Sequence, residues 1–309
     1  MSTPIAVIGL GIMGSRLAGR LLDAGFALRG YDPDPERADD FRRAGGTMTS
    51  SPAQAVEGGE IALLSLLTSG VSREVCLGND GIASSLQRPL LVLDATTGPT
   101  EDARSIGGEL AAVGIDYADM TVSGNAAVAQ RGELVVMLGG SDAAYEKARP
   151  IMEAIGRSHH HIGPVGSGAT MKLIVNHALA VHRGVLGEAL VVAEQAGLDP
   201  ASALTVLEDS AAYSRAMDLW GQRMVDAVHD QPNARLRQSH KDARLILEHA
   251  AALGAPADLM AVAQQQLQEG EEGGLGDLDN SSVIEVVRRR AGIGRIPNVE
   301  RGIEGDDPS

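Results

Sequence analysis

Two side chains four residues apart open the chemical reading of this 309-residue chain. Lys172 and Asn176 close the segment Gly166-Ser167-Gly168-Ala169-Thr170-Met171-Lys172-Leu173-Ile174-Val175-Asn176. On a helix that spacing puts both on one face. The lysine's neighbours Met171, Leu173, Ile174 and Val175 are apolar. An amine in apolar surroundings loses hydration, so its pKa falls and it can take or give a proton near neutrality. A carbinol oxygen needs such a partner when a hydride leaves or joins its carbon. A helix lysine that runs its stem along apolar surface and keeps its charge in water has the same signature. The residues alone leave both readings open.

A second constellation lies near the start of the chain. Gly9-Leu10-Gly11-Ile12-Met13-Gly14 has the spacing G-x-G-x-x-G, follows an apolar run at residues 5–8 and opens an amphipathic stretch. That context separates a dinucleotide turn from an ordinary glycine-rich turn. Gly9 allows the tight turn, Gly11 lets the backbone approach a pyrophosphate, and Gly14 permits close helix–strand packing. The helix start then offers N–H groups and a positive dipole end to phosphates. Asp32 follows Gly9 by 23 residues. An acid there accepts from ribose hydroxyls and repels a 2′-phosphate, which favours NAD over NADP. Pro33 and Pro35 also suit Asp32 to a turn. Arg29 and Arg37 are near enough in sequence to take a phosphate, which keeps NADP as the alternative.

These residues need elements to hold them. Strand-like runs at 5–8, 27–31, 61–66, 90–94, 116–119 and 134–138 alternate with helix-like stretches such as 14–24 and 101–112. That alternation predicts βαβ units and a parallel sheet covered on both faces. The segment Asp119-Met120-Thr121-Val122-Ser123-Gly124-Asn125 falls at the C-terminal end of a strand, where ligands bind in open α/β sheets. The break at Pro164-Val165-Gly166-Ser167-Gly168 ends the pattern. Helices are expected beyond it at 169–196, 201–211, 213–228, 240–254, 256–270 and 281–291, with a loop over 269–279. The reading is an α/β Rossmann domain at 1–163, an all-α domain at 164–296, and a disordered acidic tail at 297–309. The 169–196 helix is too apolar to be merely solvated. It predicts burial between domains and subunits, and hence a homodimer or homotetramer.

Composition removes several function classes. Lys and Arg number 26 against 41 Asp and Glu, a formal charge of −15. Such a field repels nucleic acid and anionic membranes. Aromatics at 2% leave little for stacking on single strands. One cysteine, Cys76, excludes an internal disulfide framework and a cysteine-rich metal site, and reads as buried. No apolar run approaches the roughly 18 residues of a membrane span, and the first residues lack a signal peptide's basic start. A cytoplasmic location is the expectation. His159-His160-His161 reads as a loop or strand edge rather than a metal cluster, and no metal is expected. Trp220 and Tyr213 read as core or interface anchors, with pocket lining as the alternative. Arg288-Arg289-Arg290 reads as a solvated helix end.

From about residue 5 to 291 the chain resembles the β-hydroxyacid dehydrogenase family, which includes 3-hydroxyisobutyrate dehydrogenase and tartronate semialdehyde reductase and is related to 6-phosphogluconate dehydrogenase. Gly9 to Gly14 resembles the family's opening G-L-G-x-M-G, and Asp119 to Asn125 its D-A-P-V-S-G-G. Gly166, Gly168, Lys172 and Asn176 match its G-x-G-x-x-x-K-x-x-x-N in full, and Lys241-Asp242 its K-D pair. The resemblance implies that Lys172 is the general acid/base. It implies that Ser123 and the Gly124 backbone hold a substrate carboxylate, and that Asn176 orients the substrate. Lys241 would lie beside the nicotinamide. Leu67 matches the leucine of the family's L-P step, and Thr96-Thr97 its S-T step at the nicotinamide ribose. The implied activity is reversible hydride transfer between NAD and the carbinol carbon of a small, carboxylated 3-hydroxy acid. Some residues depart from the family in ways that bear on the substrate. Thr121 replaces its proline, Asn125 its second glycine, and Thr68 the proline after Leu67. Asn125 either contacts a larger substrate or caps a helix. Two rivals stand beside this reading. An imine reductase of the same fold generally lacks the lysine and prefers NADP. A non-catalytic dinucleotide-dependent scaffold tends to lose the lysine and to carry a partner-binding domain.

Overall fold

The computed structural model describes residues 3–89 and 91–293. The chain folds as two compact units, Met1–Val175 and Asn176–Ser309.

In the first unit short apolar runs become strands and the stretches between them become helices. In chain order these are β1 (Ile5–Ile8), α1 (Ile12–Asp23), β2 (Leu28–Tyr31), α2 (Pro35–Arg43), β3 (Thr47–Met48), α3 (Pro52–Val56), β4 (Ile61–Leu64), α4 (Ser69–Leu77), β5 (Leu91–Asp94), α5 (Thr100–Ala111), β6 (Asp116–Ser123), α6 (Ala126–Gln130), β7 (Leu134–Gly139), α7 (Asp142–Ile155) and β8 (Gly156–Gly163). Side-chain oxygens fix several helix starts. Asp34 accepts from Glu36, Ser51 from Gln54, Thr68 from Val71 and Ser141 from Ala144. Each satisfies a backbone N–H that lacks an intrahelical partner.

The eight strands form one sheet in the order β3-β2-β1-β4-β5-β6-β7-β8. All neighbours are parallel except β6 and β7. The two-residue period sends alternate side chains into two cores. Ile5, Val7, Leu91 and Leu93 enter one; Ala6, Ile8 and Val92 enter the other. The fully buried β1 and β5 are thus covered on both faces, as a parallel sheet requires.

Register fixes the rim of the sheet. Ile8, Leu64 and Asp94 end their strands side by side, and Asp94 pairs with Asp119. β6 continues for four residues past that level, to Ser123, because β7 runs back alongside it. The sequence predicts a strand ending at 119; the antiparallel partner extends it. β3 is not predicted as a strand, and for β8 a strand edge is one of two readings of its histidines. β8 holds Gly-Arg-Ser-His-His-His-Ile-Gly, which has no apolar alternation, and it forms as an edge strand on β7. Leu90, at the start of the expected 90–94 strand, lies outside the described residues.

The helix α8 (Ser167–Gln195) runs through the division between the units. The second unit continues with α9 (Pro200–Asp209), α10 (Arg215–Asp226), α11 (Leu236–Ala252), α12 (Asp258–Gly270) and α13 (Val283–Arg290). Two details correct the sequence reading. Residues 271–275 carry α12 on as one wide turn, so the expected 269–279 loop is partly helical. Arg288 is fully buried rather than solvated. Its guanidinium donates to Glu194, Glu285 and the Met224 carbonyl, which compensates the buried charge. The expected tail at 297–309 lies outside the described residues.

Candidate active site

The glycine turn can take no larger residue at two of its positions. Gly9 has φ +90°, and a Cβ there would lie 2.3 Å from the Ser65 carbonyl oxygen. A Cβ on Gly14 would lie 1.9 Å from the Gly9 carbonyl oxygen. Gly11 is different: its nearest such neighbour is the Arg37 guanidinium at 3.7 Å, so the backbone is open to approach. Gly11 caps α1 with no side-chain bond, which leaves the first N–H groups uncovered by a side-chain cap. Leu10 is buried, Met13 packs against the core, and Ile12 is exposed.

Asp32 is nearly buried at the end of β2. It accepts the Leu10 amide on one oxygen at 2.7 Å and the Asp34 amide on the other at 2.9 Å. Arg37 stands 3.6 Å from the same carboxylate. Arg29 is committed elsewhere, donating to the Gln54 and Glu57 carbonyls at 2.7 and 2.9 Å. This turn fits a dinucleotide. It has open backbone at Gly11, an uncapped helix start, and an acid fixed beside both.

The loops after β4 and β5 are tied to each other. Thr96 accepts the Leu66 amide on its hydroxyl at 3.1 Å and donates its own amide to Asp94 at 2.9 Å. Tyr117 donates to the other Asp94 oxygen at 3.0 Å. Burial pushes the Asp94 carboxyl above its usual range, and these hydrogen bonds oppose the shift. Leu67 projects outward, 86% exposed, and Thr97 is half-buried. Cys76 packs into the same wall, and burial raises its thiol pKa so that it stays protonated.

β6 then carries the third set. Ser123 ends the strand half-buried, Gly124 turns with φ +138°, and the Asn125 side chain accepts from Val128. Asn125 therefore caps α6. Deeper on β6, Asp119 accepts the Gly166 and Ala169 amides at 2.7 and 2.6 Å. Burial raises its carboxyl to about 6, against the pull of those two amides. Thr121 donates its hydroxyl to the Gly168 carbonyl at 2.9 Å. Lys172 follows on the next turn of α8, half-buried.

In the second unit Asn176 donates to Asp242 at 3.2 Å. Lys241 lies 3.3 Å from the same carboxylate. Arg183 is buried with its guanidinium 4.9 Å from the Trp220 ring centre. Burial lowers Arg183 to about 10 despite the charges of Asp279 and Asp242. Trp220 is thus a platform for Arg183, while Tyr213 is half exposed and donates to Asp218. Sequence alone does not single out Asp94, Arg183 or the bonds of Asp119 and Thr121. The partners of Asp119 and Thr121 are distant in the chain, and only the polar residues inside an apolar strand hint at them.

His159 and His161 lie on the edge strand β8, held by Tyr145 and by the Gly140 carbonyl. Among the described residues no group of three or more His, Cys, Asp or Glu could hold a metal ion. No described helix is long and apolar enough to cross a membrane.

Comparison with known proteins agrees with this geometry. Residues 4–163 match the NAD binding domain of 6-phosphogluconate dehydrogenase. Residues 166–287 match the NAD-binding region of NADP-dependent 3-hydroxyisobutyrate dehydrogenase. The 3-hydroxyisobutyrate dehydrogenase of Pseudomonas aeruginosa is 32% identical over 85% of this chain and 90% of its own. The L-threonate dehydrogenase of Cupriavidus necator is 31% identical over 93% of this chain and 96% of its own. The crystal structure of 3-hydroxyisobutyrate dehydrogenase from Salmonella typhimurium superposes with a TM-score of 0.84 at 27% identity, covering 92% of this chain and all of that one. The chain therefore belongs to the β-hydroxyacid dehydrogenase family of NAD(P)-dependent oxidoreductases.

Proposed function

We propose that this chain reversibly oxidises the carbinol carbon of a small 3-hydroxy acid, with NAD preferred over NADP and Lys172 as general acid/base. The observation that carries the reading is the gathering at the rim of the sheet. Gly9 packs against Ser65, the loop beyond Ser65 is bonded to Thr96, β5 pairs with β6, and the helix bearing Lys172 starts against β6.

Each residue has a role in this reading. Gly9, Leu10, Gly11, Ile12, Met13 and Gly14 admit the pyrophosphate to the start of α1. Asp32 keeps lone pairs for the ribose hydroxyls and its charge repels a 2′-phosphate. Leu67, Thr96 and Thr97 serve the nicotinamide half, and Lys241 keeps the cofactor role that the family resemblance implies. The bound nicotinamide supplies the hydride acceptor or donor. Ser123 and the Gly124 amide hold the substrate carboxylate, with Asn125 beside them, and Asn176 orients the substrate. Lys172 takes the hydroxyl proton on oxidation and returns it to the oxygen on reduction. Residues 1–163 serve the cofactor, and residues 164–296 serve substrate binding and self-association.

The substrate class follows the names of the relatives, and the departures at Thr121 and Asn125 leave the choice among 3-hydroxy acids to experiment. Lys172 and Asp32 argue against an imine reductase, and Lys172 also argues against a non-catalytic scaffold. A homodimer or homotetramer is proposed because Val185 and Val192, seven residues apart on α8, are 59% and 68% exposed. A cytoplasmic location is proposed as well, and the charge of −15 supports a chain with no nucleic-acid or anionic-membrane partner.

The test is nicotinamide absorbance with NAD and NADP for wild type and Lys172→Ala. The substrates would be 3-hydroxyisobutyrate, L-threonate and a panel of aryl and sugar 3-hydroxy acids. NAD-preferring turnover that falls by about two orders of magnitude or more in the variant supports the reading. Unchanged turnover removes Lys172 from the mechanism.

A further inference from the structure

One strand holds both halves of the proposed chemistry. β6 ends at Ser123, where the substrate turn begins, and two and four residues earlier its side chains grip the start of α8. Asp119 receives the amides of Gly166 and Ala169. Thr121, wholly buried, donates to the Gly168 carbonyl at 2.9 Å and lies 3.3 Å from that of Met137. The fit is close. A Cβ on Gly168 would lie 2.2 Å from the Asp119 carbonyl oxygen, and one on Gly139 would lie 2.6 Å from the Gly168 nitrogen. Thr170 adds a lateral tie, its hydroxyl 3.1 Å from that of Thr100 on α5. Lys172 follows Gly168 by four residues, one helical turn above the grip.

We propose that Asp119 and Thr121 are positioning residues for Lys172, the Thr121 hydroxyl fixing the height at which α8 leaves the strand that carries Ser123. The inference rests on the reading of Lys172 as acid/base. Asp119 satisfies amides that any helix start must satisfy. Thr121 does not: its strand and the helix are both formed without its hydroxyl. Its bond to Gly168 acts on register, and register decides where the amine lies relative to the Ser123–Asn125 turn. A displacement of about 1 Å at a reacting group can cost on the order of a hundredfold in rate.

Thr121→Val removes the hydroxyl at constant shape, and Thr121→Ser restores it. If the valine variant does not fold, Thr121→Ala repeats the experiment. The reactivity of Lys172 is read without substrate by competitive acetylation across pH. Turnover of the best panel substrate is read in Thr121→Val, Lys172→Ala and the double variant. The expected result is a kcat about tenfold or more below wild type in Thr121→Val, with KM for NAD changed less than about twofold. The acetylation profile shifts in Thr121→Val and returns in Thr121→Ser, and the valine costs nothing further once Lys172 is gone. Wild-type kcat and acetylation in Thr121→Val overturn the inference, as does an equal loss in the Lys172→Ala background. If Lys172→Ala itself turns over normally, the functional reading falls and this inference with it. If Lys172→Ala is inactive while Thr121→Val is normal, only the inference falls.

Discussion

The Asp32 carboxylate reaches back across the nucleotide turn to accept the Leu10 amide at 2.7 Å, so the end of β2 fixes the residue between the first two glycines of the motif. Asp32 is at once a structural latch and, in the proposed function, the charge that faces the ribose. Asp32→Ala removes both. The ratio of kcat/KM for NADP over NAD rises at least about tenfold, a change of about 1.4 kcal/mol. Stability falls by about 1–3 kcal/mol, because the Leu10 and Asp34 amides lose their acceptor. Steady-state kinetics with both cofactors and urea unfolding measure the two effects. An unchanged cofactor ratio removes Asp32 from the discrimination.

Asp119 gives a pH dependence of definite sign. Its carboxyl is raised from 3.8 to about 6 in the fold, first by burial and also by the charge of Asp94. The folded protein therefore holds this proton more tightly than the unfolded chain. The contribution to stability is full below about 3.8 and is lost as pH rises through about 6. Urea unfolding of wild type and Asp119→Asn between those values isolates it, because the variant has no proton to exchange at this site. Wild type gains stability relative to the variant as pH falls through the window. A constant difference would mean that Asp119 does not titrate there.

Two arginines near the end of α13 are predicted to differ widely in their contribution to stability. Arg288→Ala leaves Glu194 and Glu285 without their buried cation and costs about 3–5 kcal/mol. Arg290→Ala breaks an exposed pair with Glu269 and costs about 0–1 kcal/mol. Thermal unfolding of both variants checks the contrast. Equal losses would mean that burial of Arg288 has no energetic consequence.

Two glycines of α1 differ in the same way. Gly14→Ala drives a methyl group against the Gly9 carbonyl, so the turn must open. The expected result is a loss of about 1–3 kcal/mol together with weakened NAD binding by calorimetry. Gly19→Ala meets nothing within 4 Å and gains about 0.5–1 kcal/mol from helix propensity.

The parts legible in the sequence are those with local causes. The glycine turn, the acid at the end of β2 and the alternation of strands and helices are each written within about thirty residues. What stays hidden depends on distant partners. Nothing around Arg288 announces Glu194, 94 residues earlier in the chain. Asp119 and Thr121 stand inside a recognisable motif, but the amides and carbonyl they bind lie 47 to 50 residues on. β8 has no apolar pattern of its own, and the open side of β7 makes it a strand. Asn125 has two readings in the sequence, and the local bond to Val128 shows the cap.

The ends of the sheet also bear on how copies of this chain can aggregate. An open strand edge is a template for another chain's backbone. At one end β3 is only two residues long, too short to nucleate an added strand. At the other, β8 carries Arg157 and three consecutive histidines, polar side chains that an added strand would have to strip of water. Edge-to-edge stacking into fibrils is thereby disfavoured at both ends. Self-association of the folded chain is left to its helical surfaces.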